Sequence, residues 1–368
     1  MTTTQSQRSL PWLLIICGCV IAMFTFVGRS TMGFFQLPML EVRDWDRTTF
    51  ALAIALQNLF WGAGQPFFGM ISDKYGTWRV LALGSVMYAL GFYLMSIAES
   101  AWLLHLSGGV LIGLGIAAGS FSIVMAAFAR AVPADKRTIV FGIGTAAGSA
   151  GMAFFSPLAV AMIANLGWQD TLVWLGALML FIPLLAIPLV GNGGKGNHSA
   201  EEMSQSVGAA LTEALGHNSY KLLVAGFFVC GFQVAFITAH FPAYISDIGI
   251  DAYYAGLALM LIGLFNIFGS LASGFISGRF SMPKFLAWIY IGRSIAVTAF
   301  LLTPQTPTTV IIFAAVMGVL WLSTVPPTNA LVALMFGTRY LGMLGGLVFF
   351  SHQIGSFLGV WLGGYLYD

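Results

Sequence analysis

Gly69-Met70-Ile71-Ser72-Asp73-Lys74-Tyr75-Gly76-Thr77-Trp78-Arg79 is a short charged turn set between two long apolar runs. Upstream, Thr49–Ile71 contains no Asp, Glu, Lys or Arg, and downstream the run to Ala98 has none after Arg79. Hydrophobic residues make up 58% of the chain and charged residues 8%, whereas about a quarter of an ordinary soluble domain is charged. A soluble core cannot bury that much apolar residue, so lipid must solvate most of the chain. The charged turn marks a point where it leaves the bilayer.

Working outward, eleven segments reach the roughly 20 apolar residues that a spanning helix needs. They are Pro11–Phe35, Thr49–Ile71, Arg79–Ala98, Ala101–Phe128, Thr138–Ala164, Asp170–Val190, Ser219–Tyr244, Tyr253–Ser277, Lys284–Thr303, Thr308–Leu334 and Tyr340–Leu366. Gly191–Asn218 is rich in Gly, Asn, Ser and charge and reads as a flexible link, with a short amphipathic helix around Ala209–Leu215. The expected organisation is a six-helix half over 1–190, a cytoplasmic linker over 191–218 and a second half over 219–368. The run from Pro11 lacks a small-x-small cleavage site, so the first helix should also serve as the insertion signal.

Lys and Arg set the orientation. With the N-terminus in the cytoplasm, Arg8, Lys74, Arg79, Arg130, Lys136, Arg137, Lys195, Lys221, Arg279, Lys284 and Arg339 all face that side. Only Arg43 and Arg47 fall outside, and Arg29 and Arg293 lie within helices. The net charge of +2 is too small to suggest nucleic acid. Cys17, Cys19 and Cys230 sit inside apolar runs without metal or disulfide spacing, and read as packing residues. No Gly-x-x-x-x-Gly-Lys-(Ser/Thr) loop is present, so nothing points to ATP, and no cofactor is expected.

The two halves repeat. Gly69…Lys74 and Gly274…Arg279 keep the same internal spacing, displaced by 205 positions, as expected for parallel transporter repeats with a site between them. The same displacement puts a twelfth helix at roughly 375–395, beyond Asp368, so a fragment or truncated product is expected.

Ionisable residues inside a membrane are costly and mark partners or pathways. All 13 Asp and Glu fall in loops or at helix ends. The embedded ionisable groups are Arg29, Arg293, His240 and His352, with His105 nearer an end. Cations and imidazoles without acids suit an anionic substrate, and Arg pairs bidentately with carboxylate. Arg29 falls in the outer third of its span, where it could instead reach the interface; Arg293 is near mid-depth, where it could instead bond backbone. Gln57, Trp61 and Gln65 recur every four residues on one helix face, and Gln233 and His240 share another. Asn266, His352 and Gln353 lie near mid-helix, and Trp321 precedes Pro326 and Pro327, where a kink would free carbonyls. A bound carboxylate would draw a proton onto His352.

The turn, with Trp78 in place of one basic residue, resembles the loop 2–3 signature of the major facilitator superfamily, Gly-x-x-x-Asp-(Arg/Lys)-x-Gly-x-(Arg/Lys)-(Arg/Lys). Gly274…Arg279 is its degenerate echo. The resemblance implies an all-α bundle of two six-helix halves, here eleven helices without the twelfth. It also implies a gating motif of Gly69, Asp73, Lys74, Gly76, Arg79, Gly274 and Arg279, in which Asp73 meets the start of helix eleven near Gly337–Tyr340. Arg43-Asp44-Trp45-Asp46-Arg47, Cys230–Ile237 with His240–Tyr244, Leu264-Phe265-Asn266 and Ser351–Ser356 resemble the monocarboxylate and oxalate/formate porter branch. That branch often places cations in helices eight and eleven, where this chain has Asn266 and His352. The implied protein is no enzyme but a monomeric secondary carrier of a small organic anion in the inner membrane, working by exchange or with a proton. Drug efflux and a channel or sensor are the alternatives.

Overall fold

The computed structural model describes residues 10–119, 123–124, 127–128, 131–132, 137–190, 207–336 and 341–367, and their regular structure is entirely helical. We number the membrane helices in chain order. α1 comprises Trp12–Thr25 and Val27–Arg43, α2 is Arg47–Tyr75 and α3 is Thr77–Ser96. α4 runs from Ala101–Leu104 through a π-helical His105–Leu111 to Ile112–Ala118. α5 is Arg137–Leu166, and α6 is Trp168–Met179 followed by Ile182–Leu185 and Ile187–Leu189. After a connecting helix at Val207–Gly216 come α7, Asn218–Asp247, α8, Ala252–Ser277, and α9, Met282–Leu302. α10 is split into Pro307–Leu320 and Val325–Phe336, and α11 is Leu341–Tyr367.

Among the described residues, 10 helices are long and apolar enough to cross a membrane. α2 spans 29 residues but falls short in hydropathy, because Gln57, Asn58 and Gln65 interrupt its apolar run. Those amides face protein rather than lipid, so composition understates the helix.

α1 departs from expectation. It does not stop near Phe35 but continues to Arg43, giving a span of 32 residues. Asp44, in the left-handed region at φ 52°, ends it. The longer helix brings Arg29 to mid-depth.

Two contacts repeat at the displacement of 205 that relates the halves. Thr25 Oγ1 donates to Gly119 O at 2.8 Å, and at the equivalent positions Cys230 Sγ lies 3.3 Å from Thr324 Oγ1. Tyr88 OH donates to Thr25 O at 3.2 Å, where its counterpart Arg293 donates through Nη1 to Cys230 Sγ at 3.2 Å. In each half the third helix thus pins the first at the level where the fourth breaks. The first half does so with a phenol and a hydroxyl, the second with a guanidinium and a thiol.

Glycine seams hold the helices together, since lipid supplies no hydrophobic force between them. A Cβ on Gly231 of α7 would lie 1.9 Å from His352 O of α11, and one on Gly355 2.1 Å from Phe228 O. Across the halves, α2 packs on α11, α5 on α8 and α1 on α7.

The two ends differ. At the end bearing Arg47, a Cβ on Gly364 would lie 2.4 Å from Ala51 Cβ, and one on Gly33 2.6 Å from Thr238 O. At the end bearing Tyr75, a Cβ on Gly69 or Gly346 would meet no described atom within 4 Å. The bundle is shut at the first end.

Candidate functional site

Between the halves, near mid-depth, a cavity of ≈ 10 Å³ is lined by Arg29, Gln57, Asn58 and Trp61 on one side and Ala235, Thr238 and Ala239 of α7 on the other. It is about the size of one water. The walls must part before a larger solute enters.

Arg29 dominates this cavity. Its guanidinium carbon stands 5.2 Å from the centroid of the Trp61 ring, a cation–π contact that orients the charge without neutralising it. Arg29 Nη2 is buried and has no hydrogen-bond partner, and neither has Trp61 Nε1. Sequence alone put Arg29 within reach of the interface; at mid-depth, with that nitrogen sealed, it cannot snorkel. Two buried donors on cavity-lining residues are left unmatched, which costs about 1–3 kcal/mol each and more for a charge.

An aromatic ladder leads from there to α11. Trp61 meets Phe349 edge-on at 5.6 Å, and Phe349 stacks on His352 at 5.8 Å. His352 Nδ1 lies 3.0 Å from Gln353 Oε1, within reach to donate to that amide oxygen. Gln353 is fully buried and its Nε2 lacks a partner.

The other expected ligands are dispersed. Gln57 donates to Gly108 O at 3.2 Å, while the buried Gln233 Oε1 has no partner. His240 Nε2 lies 2.8 Å from Val360 O, toward the shut end. Arg293 is fully buried, but its donors are taken. Nε and Nη2 reach Leu320 O at 3.1 and 2.7 Å, Nη2 also donates to Trp321 O, and Nη1 donates to Cys230. Pro326 and Pro327 lack the N–H groups that would bond the carbonyls of Leu322 and Ser323 and continue α10; Ser273 takes up Ser323 O, and Arg293 holds the carbonyls of Leu320 and Trp321 just before it. Trp321 is packed in that break. Asn266 bonds Ser149 of α5 and Leu322 of α10.

In the charged turn, Gly76 adopts φ 93° and ψ 147°, a conformation essentially restricted to glycine. Arg79 Nη1 donates to Tyr75 O at 3.3 Å, and Arg279 lies 3.9 Å over the Phe275 ring. Gly274 faces open space among the described residues. The side chains of Asp73 and Lys74, and Gly337–Tyr340, lie outside the described residues. Three participants went unread in the sequence. Cys230, taken as packing, carries polar bonds; Ser149 and Asp247 reach across to the other half.

A basic pocket among helices that repeat at a fixed displacement narrows the choice of family, and the sequence pattern of the Major Facilitator Superfamily matches residues 14–360. The chain belongs to that superfamily. This superfamily member is 25% identical to the uncharacterized MFS-type transporter YcxA of Bacillus subtilis, over 99% of this chain and 90% of that protein. It is 27% identical to monocarboxylate transporter 13 of Rattus norvegicus, over 97% and 82%. Its fold resembles a bacterial homolog of the human lysosomal transporter Spinster in an inward-facing, unoccupied conformation, with a TM-score of 0.79, 16% identity and coverage of 96% and 82%. It also resembles a D-xylose-proton symporter, with a TM-score of 0.72, 13% identity and coverage of 96% and 89%. The protein is a multi-pass membrane transporter, not an enzyme.

Proposed function

We propose that this transporter is a secondary carrier that moves a small organic anion, a mono- or dicarboxylate, by alternating access. One observation carries the reading: Arg29 and Trp61 line the inter-half cavity, and their buried Nη2 and Nε1 donors have no acceptor among the described residues. A carboxylate supplies two acceptor oxygens and the missing negative charge. The similarity to monocarboxylate transporter 13 supports the same class. Gln57, Gln233, His240, Asn266, Arg293, Trp321, His352 and Gln353 complete the proposed binding region, some as ligands and others as its supports.

In this reading the N-terminus is cytoplasmic, the carrier is a monomer in the plasma membrane, and residues 1–190 and 219–368 rock about the site. The shut Arg47 end is then external, and the Tyr75 end faces the cytoplasm. Asp73, Lys74 and Arg79 gate that inner end together with Gly274 and Arg279. His352 takes up the coupling proton when the anion binds.

The test is thermal unfolding of purified wild type and Arg29→Gln with a panel of acetate, lactate, oxalate, succinate, xylose and tetraphenylphosphonium. Binding to the native state raises the transition by mass action. At least one carboxylate should stabilise wild type and lose that effect in Arg29→Gln. Stabilisation only by the sugar or the lipophilic cation, equal in both proteins, overturns the assignment.

A further inference from the structure

α8 is wedged between two elements that belong to different parts of the machine. One turn before Asn266, a Cβ on Gly263 would lie 2.8 Å from Ala153 N and 2.9 Å from Ser149 O of α5, in the first half. One turn after it, a Cβ on Gly269 would lie 1.9 Å from Val319 O of α10. With backbone against backbone on both sides, α8 cannot slide against either neighbour without a discrete rearrangement.

Asn266 sits between these contacts, 2% exposed. Leu322 N donates to its Oδ1 at 3.0 Å, and its Nδ2 donates to Ser149 Oγ at 2.9 Å. A backbone N–H can only donate, so the atom facing Leu322 is the oxygen and the amide nitrogen must turn to Ser149. Ser149 Oγ passes its own proton to Thr145 O at 3.3 Å. The bonded Leu322 lies inside the α10 break. Around it, Arg293 holds the carbonyls of Leu320 and Trp321, Ser273 Oγ donates to Ser323 O, and Cys230 meets Thr324. Arg293 and Cys230 extend this network to α9 and α7.

We propose that Asn266 is a positioning residue that ties the broken middle of α10 to α5 of the opposite half, so that the break tightens and loosens as the halves move. When α5 parts from α8, the bond to Ser149 is lost and the amide is free to rotate away from Leu322. The break then loses the donor–acceptor match that fixes its shape, and the carbonyls held by Arg293 shift with it. Occupancy of the site and separation of the halves are linked through this one amide. The inference does not depend on which solute is carried.

The test is hydrogen–deuterium exchange, followed by mass spectrometry, on the purified full-length protein without added solute. Ser149→Ala, a change in α5 that touches no residue of α10, should speed exchange of the amides at 319–325 by at least tenfold. Asn266→Ala should do the same, and the double variant should go no further than Asn266→Ala alone. Ser149→Thr, which keeps the hydroxyl, should exchange like wild type. Unchanged exchange at 319–325 in Ser149→Ala overturns the proposal, as does a uniform rise across α8–α11 that Ser149→Thr fails to prevent. Should Asn266→Ala not fold, the Ser149 pair decides the question unaided.

Discussion

Arg47 Nη2 donates to Asp247 Oδ1 at 2.7 Å, joining the start of α2 to the end of α7 across the two halves. The same guanidinium lies 3.8 Å from the Tyr367 ring centroid, so α11 is drawn into the contact. The two side chains are 14% and 27% exposed, which keeps solvent from screening the pair fully. This latch fastens the shut end of the bundle.

Opening that end must break the latch. Asp247→Asn should therefore favour the alternative state by about 1 kcal/mol, roughly fivefold in population. The exchanged pair Arg47→Asp with Asp247→Arg should recover part of the loss. Distances between spin labels on the two halves would show it, and identical distributions in wild type and Asp247→Asn would remove the latch.

The α7–α11 seam has no room for a methyl group. Gly231→Ala or Gly355→Ala should cost about 1–3 kcal/mol through forced backbone shifts, because the added Cβ meets a carbonyl at 1.9 or 2.1 Å. Gly346→Ala, whose added Cβ meets no described atom within 4 Å, should be nearly neutral. Thermal unfolding of the three variants in one detergent checks the contrast.

Gly76 and Asp73 should separate strain from gating. Gly76→Ala places a side chain at φ 93° and should cost about 1–3 kcal/mol of stability. Asp73→Asn leaves that backbone unstrained and should slow transport while preserving solute binding, because the charged turn is far from a mid-depth site. Equal loss of binding in a folded Asp73→Asn protein would count against gating.

Protonation of His352 gives the carrier a pH signature. If anion binding places a proton on the imidazole, affinity should rise as pH falls, and His352→Gln should flatten that dependence. The ring lies beside Cys230, which Arg293 also contacts, and the acids Glu41, Asp170 and Asp247 of the membrane helices stand near helix ends. Titrating affinity against pH in both proteins is sufficient; parallel profiles would assign the proton elsewhere.

The spans were legible because lipid imposes a length and a composition on any helix that crosses it. α2 escaped the composition rule for a reason visible only in the bundle: its amides turn toward protein. The α10 break was announced by Pro326-Pro327. The α1 break carries no proline and arises where Tyr88 of α3 bonds the backbone of Thr25 and Gly28. The sequence could nominate Arg293 as an embedded charge, but not its partners, because the carbonyls it holds lie 27 and 28 residues on, at the break in the next helix. Asp247 looked like any loop-end acid. Its only sequence signal was the opposite charge of Arg47, expected on the same face of the membrane.

The unmatched guanidinium of Arg29 carries an electrical consequence. Its positive charge belongs to the protein, so a bound dicarboxylate nearly cancels it together with the proton taken up on His352, and the loaded cavity is close to neutral. A charge that crosses part of a bilayer does work in proportion to the voltage, about 2.3 kcal/mol per 100 mV for the full distance. The stroke that moves charge should then be the empty return, not the loaded passage. Transient currents recorded from the solute-free protein, shrinking as solute is added and absent in Arg29→Gln, would place the voltage sensitivity of the cycle in its unloaded half.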